Sequence, residues 1–413
     1  MTRTLVSVDA LVVGAGPAGL AAATALRAGA AGRVVVLDRE DEAGGTPRLC
    51  EHTGFGLRDL RRVLRGPAYA RRWVERATES GVDIRTRSMV TAWGGPLRAQ
   101  VTGPEGLLEV DARAVVLATG ARERPRAARL VPGTRPSGIF TTGQLQHWVQ
   151  RQRLPLAGRA LIVGAEHVSY SAVLTLREAG VHPVALVTDL PHTQTFRSFD
   201  LATRVGLHVP VWTRTALAGV TGRDRVDGVL VRDPDDTERT VAVDVVVFTG
   251  DFIPDNELAR LAHLSMDPGT KGPACDVDGA TSAPGVFATG NLVHAAETAD
   301  VAARRATAVG SAAAAWLRDG DRSPARPATV RLRVTDPLLW VAPNLAVPGR
   351  AGTEPLLVRT QVFLDRPRLE VTQGGRLLGS FRPRRMIPNR SHALPSECLR
   401  LVRPGDDVRL SVS

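Results

Sequence analysis

The stretch Ala10-Leu11-Val12-Val13-Gly14-Ala15-Gly16-Pro17-Ala18-Gly19-Leu20 decides how the chain folds. Its first four residues are a short apolar run, the mark of a buried strand. Leu20 to Leu26 then reads as a helix. The glycine spacing between them has a physical reason. Gly14 permits the tight turn, Gly16 lets a pyrophosphate approach the backbone, and Gly19 lets the helix pack close on the strand. The helix N-terminus then faces the phosphates with free N–H groups, and Ala15, Pro17 and Ala18 complete the loop that lies on them. Arg33 to Leu37 is a second apolar strand. It ends at Asp38, where an acid accepts hydrogen bonds from ribose hydroxyls. Strand, turn, helix, strand and acid occur in the order of a dinucleotide-binding βαβ unit.

Outward from this unit, Ala114 to Ala118 is another buried strand, closed by Thr119-Gly120. Pro125, Pro132 and Pro136 mark a crossover. A second βαβ unit follows: strand Ala160 to Val163, helix Val168 to Ala179, strand Val184 to Val187. Val241 to Phe248 reads as one further strand, ending at Thr249-Gly250-Asp251. The chain returns with Gly285-Val286-Phe287-Ala288-Thr289-Gly290-Asn291 and an Ala-rich helix from Thr298 to Leu317. Asp319 to Pro327 reads as a linker, and beyond it the pattern alternates as in strands. The expected fold class is α/β, with two Rossmann-like dinucleotide-binding domains, the second inserted in the first, and a small C-terminal all-β domain. The expected boundaries are 1–125 and 256–320 for the first, 126–255 for the second and 328–413 for the β domain.

A chain of 413 residues is too long for one core. Its net charge of +11 raises the question of nucleic acid. Lys271 is the only lysine, however, and the arginines scatter through every segment, which reads as compositional bias. The densest cluster, Arg382, Arg384 and Arg385, lacks interleaved aromatics, so no nucleic-acid partner is expected. Arg384 to Asn389 reads either as a docking turn or as an ordinary loop between strands. Cys50, Cys275 and Cys398 are far apart and form no CxxC pair, so neither a local redox disulfide nor a metal site is expected. Glycines and a proline interrupt the apolar stretch at residues 10–30, and no cleavable leader precedes it. The expectation is a cytoplasmic protein with no integral membrane segment.

Three widely spaced motifs carry a resemblance over residues 8–320: the N-terminal unit, Ala118-Thr119-Gly120, and Gly285 to Asn291. Together they resemble the FAD-dependent pyridine nucleotide–disulfide oxidoreductase superfamily. The resemblance implies FAD as cofactor, with contacts at Arg39, Gly45, Thr46 and Val90 besides the motif residues. It also implies that residue 291 holds the ribityl chain; here it is Asn291 where the family has an acid. The segments Gly44 to Gly56, Gly66-Pro67-Ala68-Tyr69-Ala70 and Gly290-Asn291-Leu292-Val293-His294 resemble more closely a subgroup of flavin dehydrogenase subunits. That subgroup is similar to components of glycerol-3-phosphate-type dehydrogenases, with opine- and proline-oxidising subunits more distant. It implies oxidation of a small hydroxy or amino compound.

Counted without gaps from Gly44, Pro47 and His52 stand where disulfide reductases of the superfamily place their two cysteines. Thiol exchange therefore has no nucleophile there. His52 reads either as a base that takes the substrate's proton as hydride leaves or as a structural loop histidine. His294 is a second candidate of the same kind, and Arg48 a candidate fork for a substrate carboxylate or phosphate. Cys50 reads as a small packed thiol. The second nucleotide turn is Gly164-Ala165-Glu166-His167-Val168-Ser169. Glu166 stands where the pyrophosphate should touch the backbone, so this domain is expected to bind NAD(P) poorly. The reading is an FAD dehydrogenase with another electron acceptor. Alternatives are an FAD-carrying subunit with the substrate site on a partner, or an NAD(P)H-dependent reductase.

Overall fold

The computed structural model describes residues 4–95, 97–319 and 328–413. They divide into two compact units: residues 4–48, 53–121 and 254–413, and residues 49–52 with 122–253. Residues 320–327, most of the stretch read as a linker, lie outside the described residues.

In the first unit, strand Thr4–Val13 runs parallel to Val34–Leu37 on one side and to Gly106–Leu117 on the other. Asp83–Arg85 extends one edge, and Val286–Ala288 pairs with Gly106–Leu117. Arg98–Gly103 and Met89–Gly95 continue the sheet antiparallel. Strands such as Val34–Leu37 are buried along their whole length, as strands covered on both faces must be. One face carries the helices Pro17–Ala28, Gly66–Glu79 and Ala299–Asp319. The first and last of these meet through small residues. A side chain at Gly310 would strike the Ala22 carbonyl, and one at Gly29 would strike the Ala314 methyl. The alanine run therefore sets how close the two helices pack, rather than merely favouring helix.

Residues 328–413 form a β part with its own core, including Val358, Leu369, Val371 and Met386. Its five-stranded sheet runs Leu345–Ala346, Val330–Val334, Val408–Val412, Leu369–Gln373, Arg376–Phe381. A second sheet joins Leu338–Ala342, Leu356–Thr360 and His392–Leu394. Asn344 accepts the Cys275 N–H and Arg304 pairs with Glu354, which ties this part to the dinucleotide-type sheet. Arg385 and Met386 pair with Leu364–Asp365, and Met386 lies in the core, so this piece of the candidate docking turn is strand.

The second unit has a parallel sheet ordered Ile139–Thr141, Val245–Phe248, Arg159–Val163, His182–Thr188, Val211–Thr213. Helix His167–Glu178 packs on it. The stretch expected as one strand, Val241 to Phe248, is two. Glu238–Ala242 belongs to a separate antiparallel sheet and Val245–Phe248 to the parallel one. The break falls at Asp244, whose N–H donates to the Arg159 carbonyl while its carboxylate accepts the Arg159 N–H.

Candidate functional site

In the first unit the glycines do three different jobs. Gly14 has φ +108, and a side chain there would sit 2.4 Å from the Ala118 carbonyl oxygen. A side chain at Gly19 would sit 1.8 Å from the Gly14 carbonyl oxygen. At Gly16 the nearest atom would be the Gly45 Cα at 4.0 Å, so the fold alone leaves room for a side chain. Glycine at 16 thus leaves a space into which a pyrophosphate could approach the backbone. The helix behind it carries no side-chain cap and no acid in its first turn, with Pro17 at its start. Its uncapped N–H groups suit an anion.

The other expected residues gather around this turn. Gly290, at φ +68, would bring a side chain to 2.7 Å from the Ala18 methyl, so the late motif lies against the first helix. Ala118 donates to the Val13 carbonyl, Thr119 bonds the Asp255 carbonyl at 2.7 Å, and Asp255 donates to the Gly120 carbonyl. Arg39 pairs with Asp255 at 3.1 Å. Asp38 accepts from Ala15 N at 2.6 Å and from Glu40 N at 2.9 Å, so it braces the turn; each carboxylate oxygen keeps a second lone pair for a ribose. Thr46 begins a short 3-10 turn, and Val90 has its side chain in the core, which leaves only its backbone for a ligand. Arg48 is engaged within its own loop, with Glu42 at 3.3 Å and the Gly45 carbonyl.

Asn291 has a role the motif did not reveal. Its Oδ1 accepts from Glu297 N at 2.7 Å, and its Nδ2 donates to the Glu297 carbonyl at 3.3 Å. A carboxylate cannot make the second bond. This is a physical reason for asparagine at the position, and the amide retains one N–H and one lone pair for a cofactor.

The second unit's turn is built alike and filled differently. Gly164 has φ +134, as Gly14 is left-handed in the first turn. Glu166, however, closes a capping box with Ser169, and one of its oxygens also accepts the Ala165 N–H at 3.0 Å. Side chains added at Gly164 or Gly250 would meet this carboxylate. The acid sits where its own helix N-terminus would hold a phosphate. Ser169 is fully buried and bonds the Thr249 hydroxyl at 2.7 Å.

His52 lies in the second unit, half-buried, with Nε2 2.8 Å from the Ser171 hydroxyl. Ser171 also accepts from Gln146 at 2.9 Å, and Gln146 lies 3.7 Å from the Cys50 sulfur. Burial pushes the Cys50 thiol up to about 12, so it stays protonated. Neither Gln146 nor Ser171 belongs to a motif, so no pattern in the sequence pointed to them. His294 belongs to the first unit. It is 4% exposed, tilted against Trp340 at 5.1 Å, and burial with Arg305 and Arg359 nearby holds its imidazole well below its ordinary range. The cavity it lines, about 40 Å³, has room for roughly three waters and not for an organic substrate. Among the described residues, no group of acids, histidines and cysteines is placed to hold a metal ion.

Residues 8–306 match the family described as Pyridine nucleotide-disulphide oxidoreductase. The chain belongs to that family. Similar proteins include one of the opine oxidase subunits of Agrobacterium tumefaciens, 27% identical over 72% of this chain and 64% of its own length. The benzene 1,2-dioxygenase system ferredoxin–NAD(+) reductase of Pseudomonas putida is 29% identical over 73% of each chain. The alpha chain of sarcosine oxidase from Rhizobium meliloti is 28% identical over 64% of this chain and 26% of its own length. The chain thus spans less than two thirds of the opine and sarcosine oxidase subunits. Among solved structures, T. acidophilum thioredoxin reductase superposes with TM-score 0.60 at 18% identity, over 75% of this chain and 98% of that one. L-proline dehydrogenase from P. horikoshii does so with TM-score 0.55 at 17% identity, over 75% and 55%. Both share the two-domain dinucleotide-binding fold.

This member of the pyridine nucleotide-disulphide oxidoreductase family is a flavin-dependent oxidoreductase with FAD as cofactor. The residues present fit the cofactor: an open space before Gly16, an uncapped helix N-terminus, and an acid at the end of the second strand. Of its described helices, none is long and apolar enough to cross a membrane.

Proposed function

We propose that this chain is an FAD dehydrogenase that oxidises a small hydroxy or amino compound and passes the electrons to an acceptor other than NAD(P). The observation that carries the second half is the Glu166 carboxylate seated on its own helix N-terminus. Beside a phosphate at contact distance, each like-charge pair costs about 4 kcal/mol at an effective dielectric near 20. The first half rests on similarity to proteins named as opine and sarcosine oxidase subunits, both acting on amino compounds by name.

FAD, when bound, supplies the hydride acceptor. Gly16 and the first helix would hold its pyrophosphate, and Asp38 its ribose. His52, oriented by Ser171, would take the proton that leaves the substrate hydroxyl or amine. Arg48 stays a candidate carboxylate clamp only if its loop contacts give way on binding. The domain limits proposed for these roles are 1–125 with 256–320, 126–255, and 328–413.

Anaerobic bleaching against amino acids, hydroxy acids and polyol phosphates tests the reading. One of these should bleach the flavin, and NADH and NADPH should not. Rapid bleaching by either nucleotide would overturn the acceptor assignment. The second reading places the substrate site on a partner protein, and the named relatives, themselves subunits of larger oxidases, favour it. In that case no substrate bleaches the isolated chain, and turnover appears only with the partner present.

A further inference from the structure

Within the first unit, the buried side-chain polar atoms without a hydrogen-bond partner are His294 Nδ1, Glu297 Oε1, Asn344 Nδ2 and Arg359 Nε, among the described residues. All four belong to one region, where the segment after the late glycine motif meets the C-terminal strands. His294 Nδ1 and Glu297 Oε1 are 4.0 Å apart, too far for a direct hydrogen bond. Trp340 packs on His294, and the Arg359 guanidinium lies over the Trp340 ring, 5.0 Å from its centre. Asn344 is tied to Cys275, which lines the same cavity as His294 and Glu297. Leaving such atoms dry costs about 1–3 kcal/mol each, and a cavity of this size with His294 and Glu297 in its wall has room for a water that bridges them. Thr289 and Gly290, in the turn expected to meet the cofactor, also line it. The Asn291 side chain clamps the Glu297 backbone to that turn.

We propose that Glu297, linked to His294 through water in this cavity, takes up a proton when the FAD held at the Thr289-Gly290-Asn291 turn is reduced. The balance is simple. Reduction brings two electrons and one proton to the cofactor, leaving one net negative charge. The Glu297 carboxylate becomes a carboxylic acid with a proton drawn from solvent through the cavity, which cancels that charge. Reoxidation returns the proton by the same route. Groups of opposing effect face Glu297. Burial raises its pKa, whereas Ser391, Arg359, Arg305 and Arg58 lower it. His294, Asp276 and Glu354 also line the cavity, and His294 stays neutral beside Arg305 and Arg359. An added negative charge nearby moves a carboxyl pKa upward.

The test uses the FAD-loaded protein, reduced anaerobically at an electrode in weakly buffered solution with a pH indicator, so no substrate or partner enters. Proton uptake is read from about pH 6 to 9, and over part of that range the wild type should bind roughly one proton more than Glu297→Gln. Equal uptake by the two proteins throughout overturns the proposal. So does a wild-type uptake that stays constant across the whole range. If Glu297→Gln does not fold or hold FAD, Glu297→Asp replaces it. That variant should move the pH at which the extra proton appears, and an unmoved value overturns the proposal. The result is independent of the substrate reading, which the bleaching panel tests by itself.

Discussion

Gly16 and Gly19 look equivalent in the motif and are not equivalent in space. A side chain at 19 would run into the Gly14 carbonyl, whereas one at 16 meets no protein atom nearer than 4.0 Å. Gly16→Glu should therefore give folded, colourless protein, and Gly19→Val should fail to fold, read by circular dichroism and visible flavin absorbance. Full FAD content in Gly16→Glu would remove the pyrophosphate from this turn. His52→Ala should keep FAD and lower substrate turnover ~10²–10⁴-fold, the usual contribution of a positioned base. Ser171→Ala removes the hydrogen bond that orients His52, worth about 1 kcal/mol, along with the one from Gln146, so it should cost turnover only about fivefold. Equal losses in the two would mean that Ser171 does more than orient the ring. Glu123 offers a pH test. Burial raises its carboxyl from 4.5 to about 7, the nearby Glu166 adds to this, and the Gly143 N–H and Arg129 oppose it. An acid with a raised native pKa stabilises the fold fully below pH ~4.5 and loses that contribution as pH rises through about 7. Denaturant unfolding should show stability falling by up to about 3 kcal/mol across that window, and Glu123→Gln should flatten the slope. An unchanged slope would assign the effect to another group.

Two helix N-termini follow the same strand–glycine-turn plan and carry opposite chemistry. The first is left uncapped behind Gly16, and the second is capped by Glu166. Glu166→Gly should cost only a few tenths of a kcal/mol of stability through the lost cap and should raise affinity for ADP, a simple nucleotide anion. Titration calorimetry decides it: wild type binding ADP as tightly as the variant would mean that the carboxylate is no obstacle. This contrast was legible in the sequence, since a glutamate at a glycine position is visible without coordinates. So were the apolar runs at 10–13, 33–37, 114–118, 160–163 and 184–187, which suit strands covered on both faces, whereas the short parallel strands Asp83–Arg85, Ile139–Thr141 and Val211–Thr213 were not. Asn291 was readable as a departure but not as a clamp, because its partners are backbone atoms six residues on. The Ser171 and Gln146 contacts of the Leu49–His52 segment were hidden for another reason. They come from helices more than 90 residues later, and single polar residues on a buried helix face carry no period.

At the scale of the molecule, the C-terminal strands are more than an appendage to the first unit. Trp340 packs on His294, Arg359 lies over the Trp340 ring, and Arg359 also donates to the Ala296 carbonyl. Trp340→Ala should lower stability by ~3–5 kcal/mol, as large buried aromatics do, and the loss should appear in the same unfolding transition that releases FAD. Two separated transitions, with FAD retained through the first, would show that the strands melt independently. The closing helix pair has a further consequence, for the order in which the protein can be made. The methyl-lined seam joins residues 17–28 to residues 299–319, and the strand Val286–Ala288 completes its sheet from equally late in the chain. A ribosome therefore exposes the N-terminal alanine face, and the open flank of the Gly106–Leu117 strand, for the whole time it takes to translate the second unit. At about 5–20 residues per second this is roughly 7 to 26 seconds in which an apolar surface awaits its partner. Gly290, which lies against the first helix at the glycine turn, is translated late as well, so the surroundings of Gly16 are incomplete until the second unit has been made.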